Sequence, residues 1–391
     1  MRIRSRTILL LALLAVGVSL VRFGQRENPQ AALSDSDYYL DMALVLSGEK
    51  PQFDPAWSAP GDGGAHHYTR PLLPFLAGAV ARALPGVGLA SAFSLVGLLG
   101  AWGLAVGLYA VLAAAAPTLR HPWLPSALFL TGFPQVNWGY HLLTDTLGYA
   151  TAFGAAVAAW ALLRWQRAEH PGPTRLLPAL FGLFVLQCLA FLTRETGWMV
   201  LIVTVWLIAR GAPRPEWKFG ALVLAVLLLA TLPWLAYVEL MNLRTIAIPL
   251  DPAAWLEPGY LLDVTVKSGV AFHFAWLLAL VGLRAGGLRD APDLLLGWTV
   301  AALGYMAAGY AHNSLGGIGY PLRLTYALFP LVYFLGARGL ESSEGRRATL
   351  GAALALVALN AVVGVGGTLL DRGASGVTVP GLIRSGLPAP P

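Results

Sequence analysis

Apolar and polar positions alternate in blocks along this chain, with long apolar runs separated by short polar connections. Eleven of the runs come close to the roughly 20 apolar residues that a helix needs to cross a bilayer core. They lie near residues 7–24, 88–116, 122–138, 142–163, 175–192, 197–210, 218–241, 267–283, 293–311, 322–338 and 348–369. The pattern therefore predicts an all-α, polytopic transmembrane helical protein with about 11 spans.

One polar segment is much longer than the others, and the pattern predicts it as a loop over residues 25–87. Its later part contains an apolar stretch over residues 76–84 that is too short to span and is flanked or interrupted by Pro74 and Arg82. Such a stretch is typical of a helix lying along the membrane surface. We find no second soluble domain, so residues 1–380 are predicted as one membrane domain, with a disordered tail over 381–391.

Composition supports this interpretation. Hydrophobic residues make up 57% of the chain, charged residues only 12%, and the mean hydropathy is +0.65. A soluble domain would need more polar surface than this chain provides. The single cysteine, Cys188, falls inside an apolar run, which excludes an intramolecular disulfide and a thiolate metal cluster.

The distribution of charge predicts the orientation. More than half of the 26 Lys and Arg residues lie before the first run or in short connections on its side, whereas most of the 20 acidic residues lie on the opposite side. Basic connections face the cytoplasm, so the N-terminus is predicted as cytoplasmic and the first run as an uncleaved anchor. Because no Lys/Arg run of the nucleic-acid-binding kind occurs, no nucleic-acid partner is expected.

Two carboxylates follow the first run directly, in the segment Ser34-Asp35-Ser36-Asp37-Tyr38-Tyr39. Residues two positions apart seldom share a helix face, so we expect only one of Asp35 and Asp37 to face a cavity. A carboxylate at the membrane surface can act as a general base or hold a metal ion. The alternative is that these acids are simply solvated loop residues.

A second group of polar residues combines His141 and Asp145, four positions apart at the outer end of a predicted helix, with Arg194 and Glu195 at the same outer level. An unpaired Asp145 at the edge of the hydrocarbon would be costly, so we expect it to pair with Arg194. A purely structural ion pair and a catalytic role remain open for these two residues.

A third group contains His312 and a Gly-rich segment that leads to Arg323. A guanidinium at the outer mouth of a span suits a phosphate, because it can pair with phosphate oxygens bidentately; a headgroup anchor is the alternative. Five of the seven histidines fall on the outer half, including His66 and His67, but no H-E-x-x-H spacing occurs. The sequence therefore leaves a divalent metal open and identifies no definite cofactor.

Taken together, these placements resemble the GT-C superfamily of integral membrane glycosyltransferases, which use polyprenyl-phosphate-linked sugars. The matching features are Asp35-x-x-Tyr38-Tyr39-x-x-x-Ala43, Tyr68-x-Arg70-Pro71-Leu72-Leu73-Pro74, Thr144-Asp145-Thr146-Leu147, Arg194-Glu195-Thr196-Gly197, and Arg323 near a late run. The resemblance implies a polyprenyl-phosphate sugar donor, a glycan, lipid or protein acceptor, and contact with membrane lipid. It also implies an active face outside the cytoplasm, and we expect a bacterial inner membrane.

In such enzymes an acid in the first outer loop acts as base on the acceptor hydroxyl, and basic residues neutralise the lipid phosphate. Carried over, Asp35 is the first candidate for the base and Asp37 the second, while Arg323 and Arg194 are the phosphate candidates. Further candidates for substrate binding are Tyr39, His66, His67, Arg70, His141, Asp145, Glu195 and His312. A transporter or lipid flippase, which favours ionisable groups near mid-membrane, and a non-catalytic scaffold remain the alternative functions.

Overall fold

The computed structural model describes residues 4–23, 34–53, 68–84, 86–138, 145–169, 171–211, 217–241, 243, 258–312, 325–343 and 348–374. Helix accounts for 87% of the structure and the described residues contain no strand, which confirms the all-α class. The predicted tail over 381–391 lies outside the described residues.

The helices follow one another with short connections. In chain order they are α1 (Ser5–Phe23), α2 (Ser34–Leu46), α3 (Leu72–Ala83), α4 (Leu89–Ala115), α5 (Leu124–Thr131), α6 (Phe133–Trp138), α7 (Asp145–Glu169), α8 (Pro173–Thr193), α9 (Gly197–Gly211), α10 (Trp217–Leu229), α11 (Leu232–Leu240), α12 (Pro258–Arg284), α13 (Gly287–Asp290), α14 (Asp293–His312), α15 (Phe329–Ser343) and α16 (Ala348–Ala374). A 3₁₀ turn, Tyr326–Leu328, precedes α15.

Five helical segments of the described residues are long and apolar enough to cross a membrane: Leu89–Ala115, Asp145–Glu169, Pro173–Thr193, Trp217–Leu240 and Thr349–Gly367. Shorter apolar helices include Ser5–Ser19 and Gly197–Gly211. The count of eleven spans thus stays a prediction. Large apolar side chains such as those of Phe181 and Val362 expose about two thirds of their surface, which suits contact with lipid.

Two of the predicted runs are divided by proline. Residues 122–138 form α5 and α6, which meet at Gly132 two positions before Pro134. Proline has no N–H to donate and disfavours helical geometry in the residue before it. At this break the N–H of Gly132 donates to the carbonyl of Phe129 rather than to that of Leu128. Asn360 of α16 donates from its amide to the carbonyl of Leu128 at 2.9 Å instead. The run over 218–241 is similarly divided into α10 and α11, with a proline in the first turn of α11.

The helices α12 and α15 approach each other closely along glycines. A Cβ added at Gly339 would clash with the carbonyl oxygen of Leu278, and one added at Gly282 would clash with that of Leu335. Small residues allow helix backbones to approach closely in membranes, where packing rather than hydrophobicity drives association. These two glycines therefore set the distance between α12 and α15.

Part of the predicted long loop is helical. The helix α2 occupies residues that we expected in a loop, because its apolar side chains Tyr39 and Ala43 pack with Leu73 of α3 and Phe93 of α4. The apolar stretch that we expected to form a surface helix belongs to α3, which begins at Leu72 rather than 76. Its position along the membrane surface stays a prediction. Pro74 fits there because the first turn of a helix leaves its N–H groups without intrahelical partners.

Candidate functional site

The ends of several helices meet where most of the described candidate residues lie. The helix α7 begins at Asp145, α8 ends at Thr193, and α9 begins at Gly197, so the connection Arg194-Glu195-Thr196 lies beside the first turn of α7. The segment from Tyr68 to Arg70 that leads into α3 lies next to this connection, and α14 adds Tyr305. One end of the helical bundle thus carries this cluster.

The expected ion pair is present. Arg194 donates from Nη1 to Oδ1 of Asp145 at 2.7 Å, and each side chain is only 2% exposed. Arg194 also donates from Nε to the hydroxyl of Tyr305 at 2.9 Å. Two different helices therefore hold one guanidinium, and the prediction that Asp145 and Arg194 pair is confirmed.

Local packing explains why the backbone turns at Arg194. It leaves α8 in an extended conformation, with φ of −169° and ψ of 160°. Gln187 donates from Nε2 to the carbonyl of Gly197 at 2.9 Å, which closes the turn from inside α8. Gly148 of α7 leaves room for the side chain of Arg194, since a Cβ there would lie 3.0 Å from the Cβ of Arg194.

A second ion pair lies beside the first. Arg70 donates from Nη2 to Oε1 of Glu195 at 2.6 Å and from Nε to Oε2 at 3.0 Å. Its remaining nitrogen, Nη1, donates to the hydroxyl of Tyr39 at 3.0 Å. This is the bidentate geometry that makes guanidinium–carboxylate pairs strong and directional. Sequence reasoning selected all three residues as substrate-binding candidates, but it did not predict that they bind one another.

The two pairs influence each other electrostatically. Burial alone would raise the pKa of Glu195, but the charges of Arg70 and Arg194 outweigh burial and lower this pKa to about 2. Burial lowers the pKa of Arg70, and the opposing effects of Glu195 and Tyr39 raise it overall. Glu195 therefore stays ionised at neutral pH between the two guanidiniums.

Asp41 forms a further buried contact that the sequence did not single out. The hydroxyl of Tyr68 donates to its Oδ2 at 2.7 Å, and the ammonium of Lys50 pairs with its Oδ1. The ring of Tyr68 packs against Phe53, with centroids 4.5 Å apart. No local pattern marks Asp41, because its partners lie 9 and 27 positions away.

Two residues of α11 hold the backbone that precedes Arg70. Trp234 donates from Nε1 to the carbonyl of Thr69, and Tyr237 donates from its hydroxyl to the carbonyl of Tyr68, both at 2.9 Å. Sequence reasoning placed both aromatic residues in an ordinary apolar run. The structure shows that they fix the segment from which Arg70 projects.

The remaining candidates cannot be placed against this cluster. His66, His67, His141 and Arg323 lie outside the described residues, as do the side chains of Asp35, Asp37 and His312, although the backbones of these last three belong to α2 and α14. Among the side chains that are described, no three of His, Cys, Asp and Glu come together in a way that could hold a metal ion.

Comparisons with known proteins reveal similarity in fold. No protein-family profile matches the sequence, and no curated protein matches it. The apo oligosaccharyltransferase of Archaeoglobus fulgidus has a TM-score of 0.60 at 14% identity, over 97% of this chain and 55% of that one. The archaeal oligosaccharyltransferase AglB from Archaeoglobus fulgidus, in complex with an inhibitory peptide and a dolichol-phosphate, also gives 0.60 at 14% identity, over 95% and 55%. Apo ArnT from Cupriavidus metallidurans gives 0.55 at 15% identity, over 96% and 73%.

These proteins are membrane glycosyltransferases of the GT-C superfamily, so the expected GT-C fold is confirmed. The helices that are long and apolar enough to cross a membrane support an integral membrane protein. The chain spans about half the length of the archaeal oligosaccharyltransferase structures that it matches. At this level of identity the likeness concerns the fold, and activity has to be argued from the residues of this chain.

Proposed function

We propose that this protein is a glycosyltransferase that moves a sugar, a hexose or a pentose, from a polyprenyl-phosphate donor to an acceptor outside the cytoplasm. The observation that carries the proposal is the cluster of one buried and one partly buried ion pair at one end of a GT-C bundle, directly beside the helix that bears Asp35 and Asp37. Transfer from a lipid phosphate needs a base and fixed positive charge. The acids of α2 are the candidates for the base, and Arg323 is the candidate for the charge.

The proposed reaction has three coupled changes. A carboxylate of α2 accepts the proton of the acceptor hydroxyl, the acceptor oxygen forms a bond to the anomeric carbon, and the bond from that carbon to the phosphate oxygen breaks. The departing polyprenyl phosphate keeps the electron pair. Positive charge near that oxygen stabilises the leaving group.

Among the acids of α2, we propose Asp35 as the base, with Asp37 as the second candidate. Positions 35 and 39 are four residues apart and therefore lie on the same face of α2. On that face, the hydroxyl of Tyr39 accepts a hydrogen bond from Arg70. Position 37 shares a different face with Asp41, whose carboxylate is already bound by Tyr68 and Lys50. The face of Tyr39 is therefore the one linked directly to the Arg70–Glu195 pair.

For the lipid phosphate, we propose Arg323 as the principal ligand. Arg194, the other candidate, has Asp145 as counter-ion and is almost completely buried. A guanidinium that is already neutralised contributes little further attraction to a phosphate. Arg194 then acts mainly by holding the ends of α7, α8 and α14 together.

A transporter or flippase is less well supported. Translocation would favour ionisable groups near mid-membrane, with access from both sides. The buried Arg194–Asp145 pair and the partly buried Arg70–Glu195 pair instead lie at helix ends and between helices. Such placement fits chemistry at one membrane face.

The test uses purified protein in liposomes containing undecaprenyl-phosphate-linked hexoses and pentoses, with membrane extract as acceptor source and release of undecaprenyl phosphate as readout. Removing a general base lowers turnover by roughly 10² to 10⁴-fold, and we expect Asp35→Asn to do so with a smaller loss for Asp37→Asn. Glu49→Gln, which removes an exposed acid just after α2, is the matched control. Parental turnover by Asp35→Asn would refute the assignment of the base.

A further inference from the structure

Every nitrogen of the Arg70 guanidinium is engaged by protein. Two of them donate to the carboxylate of Glu195 and the third donates to the hydroxyl of Tyr39, whose side chain is 1% exposed. Arg70 itself is 6% exposed. Because the guanidinium is planar and rigid, it holds Glu195 and Tyr39 in a fixed orientation relative to each other.

The backbone that carries Arg70 is fixed as well. The carbonyls of Tyr68 and Thr69 accept hydrogen bonds from Tyr237 and Trp234 of α11. Glu195 is fixed in turn, because the neighbouring Arg194 is anchored by Asp145 and Tyr305. Arg70 therefore connects a rigid part of the bundle to Tyr39, a residue in the middle of α2.

We infer that Glu195 and Arg70 are positioning residues, which fix α2 through Tyr39 and thereby place the proposed base, and that they do not bind the substrate. This inference rests on the proposed function, since α2 matters for catalysis only because it bears Asp35. Position 35 lies one helical turn before Tyr39, so a tilt of α2 about Tyr39 would move the base relative to the bound donor.

The electrostatics support positioning rather than direct chemistry. With its pKa lowered to about 2 by the two neighbouring arginines, Glu195 holds a proton too weakly to act as an efficient base at neutral pH. To bind a phosphate, Arg70 would have to give up its bidentate bond to the carboxylate of Glu195. One strong ion pair would replace another, so the net gain in binding free energy would be small. Both residues are better suited to holding the helix.

The kinetic test compares Tyr39→Phe, Glu195→Gln and Arg70→Lys with the parent. A displacement of about 1 Å can cost roughly 10²-fold in turnover, so each variant should lose kcat on that scale while its KM for the undecaprenyl-phosphate sugar stays within about twofold. Arg70→Lys should not retain the parental kcat, because an ammonium cannot reproduce the bidentate bond of the guanidinium to Glu195. The double variant Tyr39→Phe/Glu195→Gln should be little worse than either single variant, since the residues act as one unit.

A rise in donor KM with unchanged kcat, or full activity in Arg70→Lys, would overturn the inference in favour of phosphate binding by Arg70. Glu49→Gln again serves as the control.

A second readout does not depend on activity. Spin labels at Glu49→Cys, just after α2, and Leu99→Cys, on the exposed face of α4, would be introduced in a Cys188→Ala background. We expect the distance distribution between the labels to broaden in Tyr39→Phe and Glu195→Gln. An unchanged distribution would overturn the positioning role. If the parent is inactive on every donor tested, the proposed function fails, while this measurement still decides whether Arg70 and Glu195 fix α2.

Discussion

The buried ion pair between Arg194 and Asp145 offers the sharpest test of how this fold is held together. Replacing Asp145 with Asn keeps the shape of the side chain but leaves the guanidinium of Arg194 buried without its closest counter-ion. Removing one partner of a buried pair typically costs about 3–5 kcal/mol, because the remaining charge stays desolvated. The hydroxyl of Tyr305 and the nearby charge of Glu195 compensate only in part.

The expected loss converts into a measurable change in melting temperature. With an unfolding entropy of about 2.1 cal/mol/K per residue, a loss of about 4 kcal/mol in a chain of 391 residues lowers Tm by roughly 5 °C. The chain supplies its own reporter, because its single cysteine, Cys188, is buried in α8. A thiol-reactive dye therefore becomes fluorescent as the protein unfolds in detergent.

Two further variants show whether the charge itself is responsible. The double variant Asp145→Leu/Arg194→Met removes both charges together, and buried pairs replaced by apolar residues are often neutral in stability. We therefore expect it to be more stable than Asp145→Asn. The control is Asp293→Asn, which breaks a pair with Arg210 whose side chains are more than half exposed and should shift Tm by less than about 1 °C.

The reasoning fails if Asp145→Asn melts within 1 °C of the parent, or if the double variant is less stable than Asp145→Asn. The first result would mean that Arg194 finds another counter-ion, and the second that packing outweighs charge at this site.

Three other outcomes follow from the same structure. Because the pKa of Glu195 is about 2 instead of 4.5, its contribution to stability is complete above about pH 4.5 and is lost as the pH falls toward 2; Tm measured across this range should fall more in the parent than in Glu195→Gln. Gly339→Ala should lower Tm by several degrees through its clash with α12, whereas Gly351→Ala, which meets no atom within 4 Å, should not lower it. Reporter fusions at Asp62 and Gly317 should both report a location outside the cytoplasm, as the distribution of Lys and Arg predicts; a cytoplasmic signal from either would contradict the proposed active face.

The sequence predicted those features that depend on local composition or on the cost of an isolated charge. The apolar runs coincide with helices, the short apolar stretch after Arg70 forms α3, and the charge of Asp145 indicated a partner that the structure identifies as Arg194. These predictions succeed because hydropathy and desolvation act on a residue regardless of which neighbours the fold brings to it.

Features that depend on contacts between distant segments were not predictable in this way. The residues Arg70 and Glu195 are 125 positions apart, and Arg194 and Tyr305 are 111 positions apart. Arg70 was assigned to substrate binding because nothing in the sequence indicates that Glu195 already engages it. For Arg194 the sequence indicated the pair with Asp145 but not the hydrogen bond to Tyr305. The helical state of residues 34–46 was missed for a related reason, since it depends on packing of Tyr39 and Ala43 against α3 and α4.

The arrangement of charges also explains how so many ionisable groups can be buried at the end of a membrane bundle. Each of the two guanidiniums faces a carboxylate, and Glu195 also influences Arg194, so the formal charges of the two ion pairs cancel. A neutral cluster costs far less free energy to bury than an isolated cation, and its paired charges attract a phosphate only weakly. In the proposed reaction the positive charge for the leaving group therefore comes from outside the cluster, which is why we propose Arg323 for it and propose that Arg70 and Glu195 position the base.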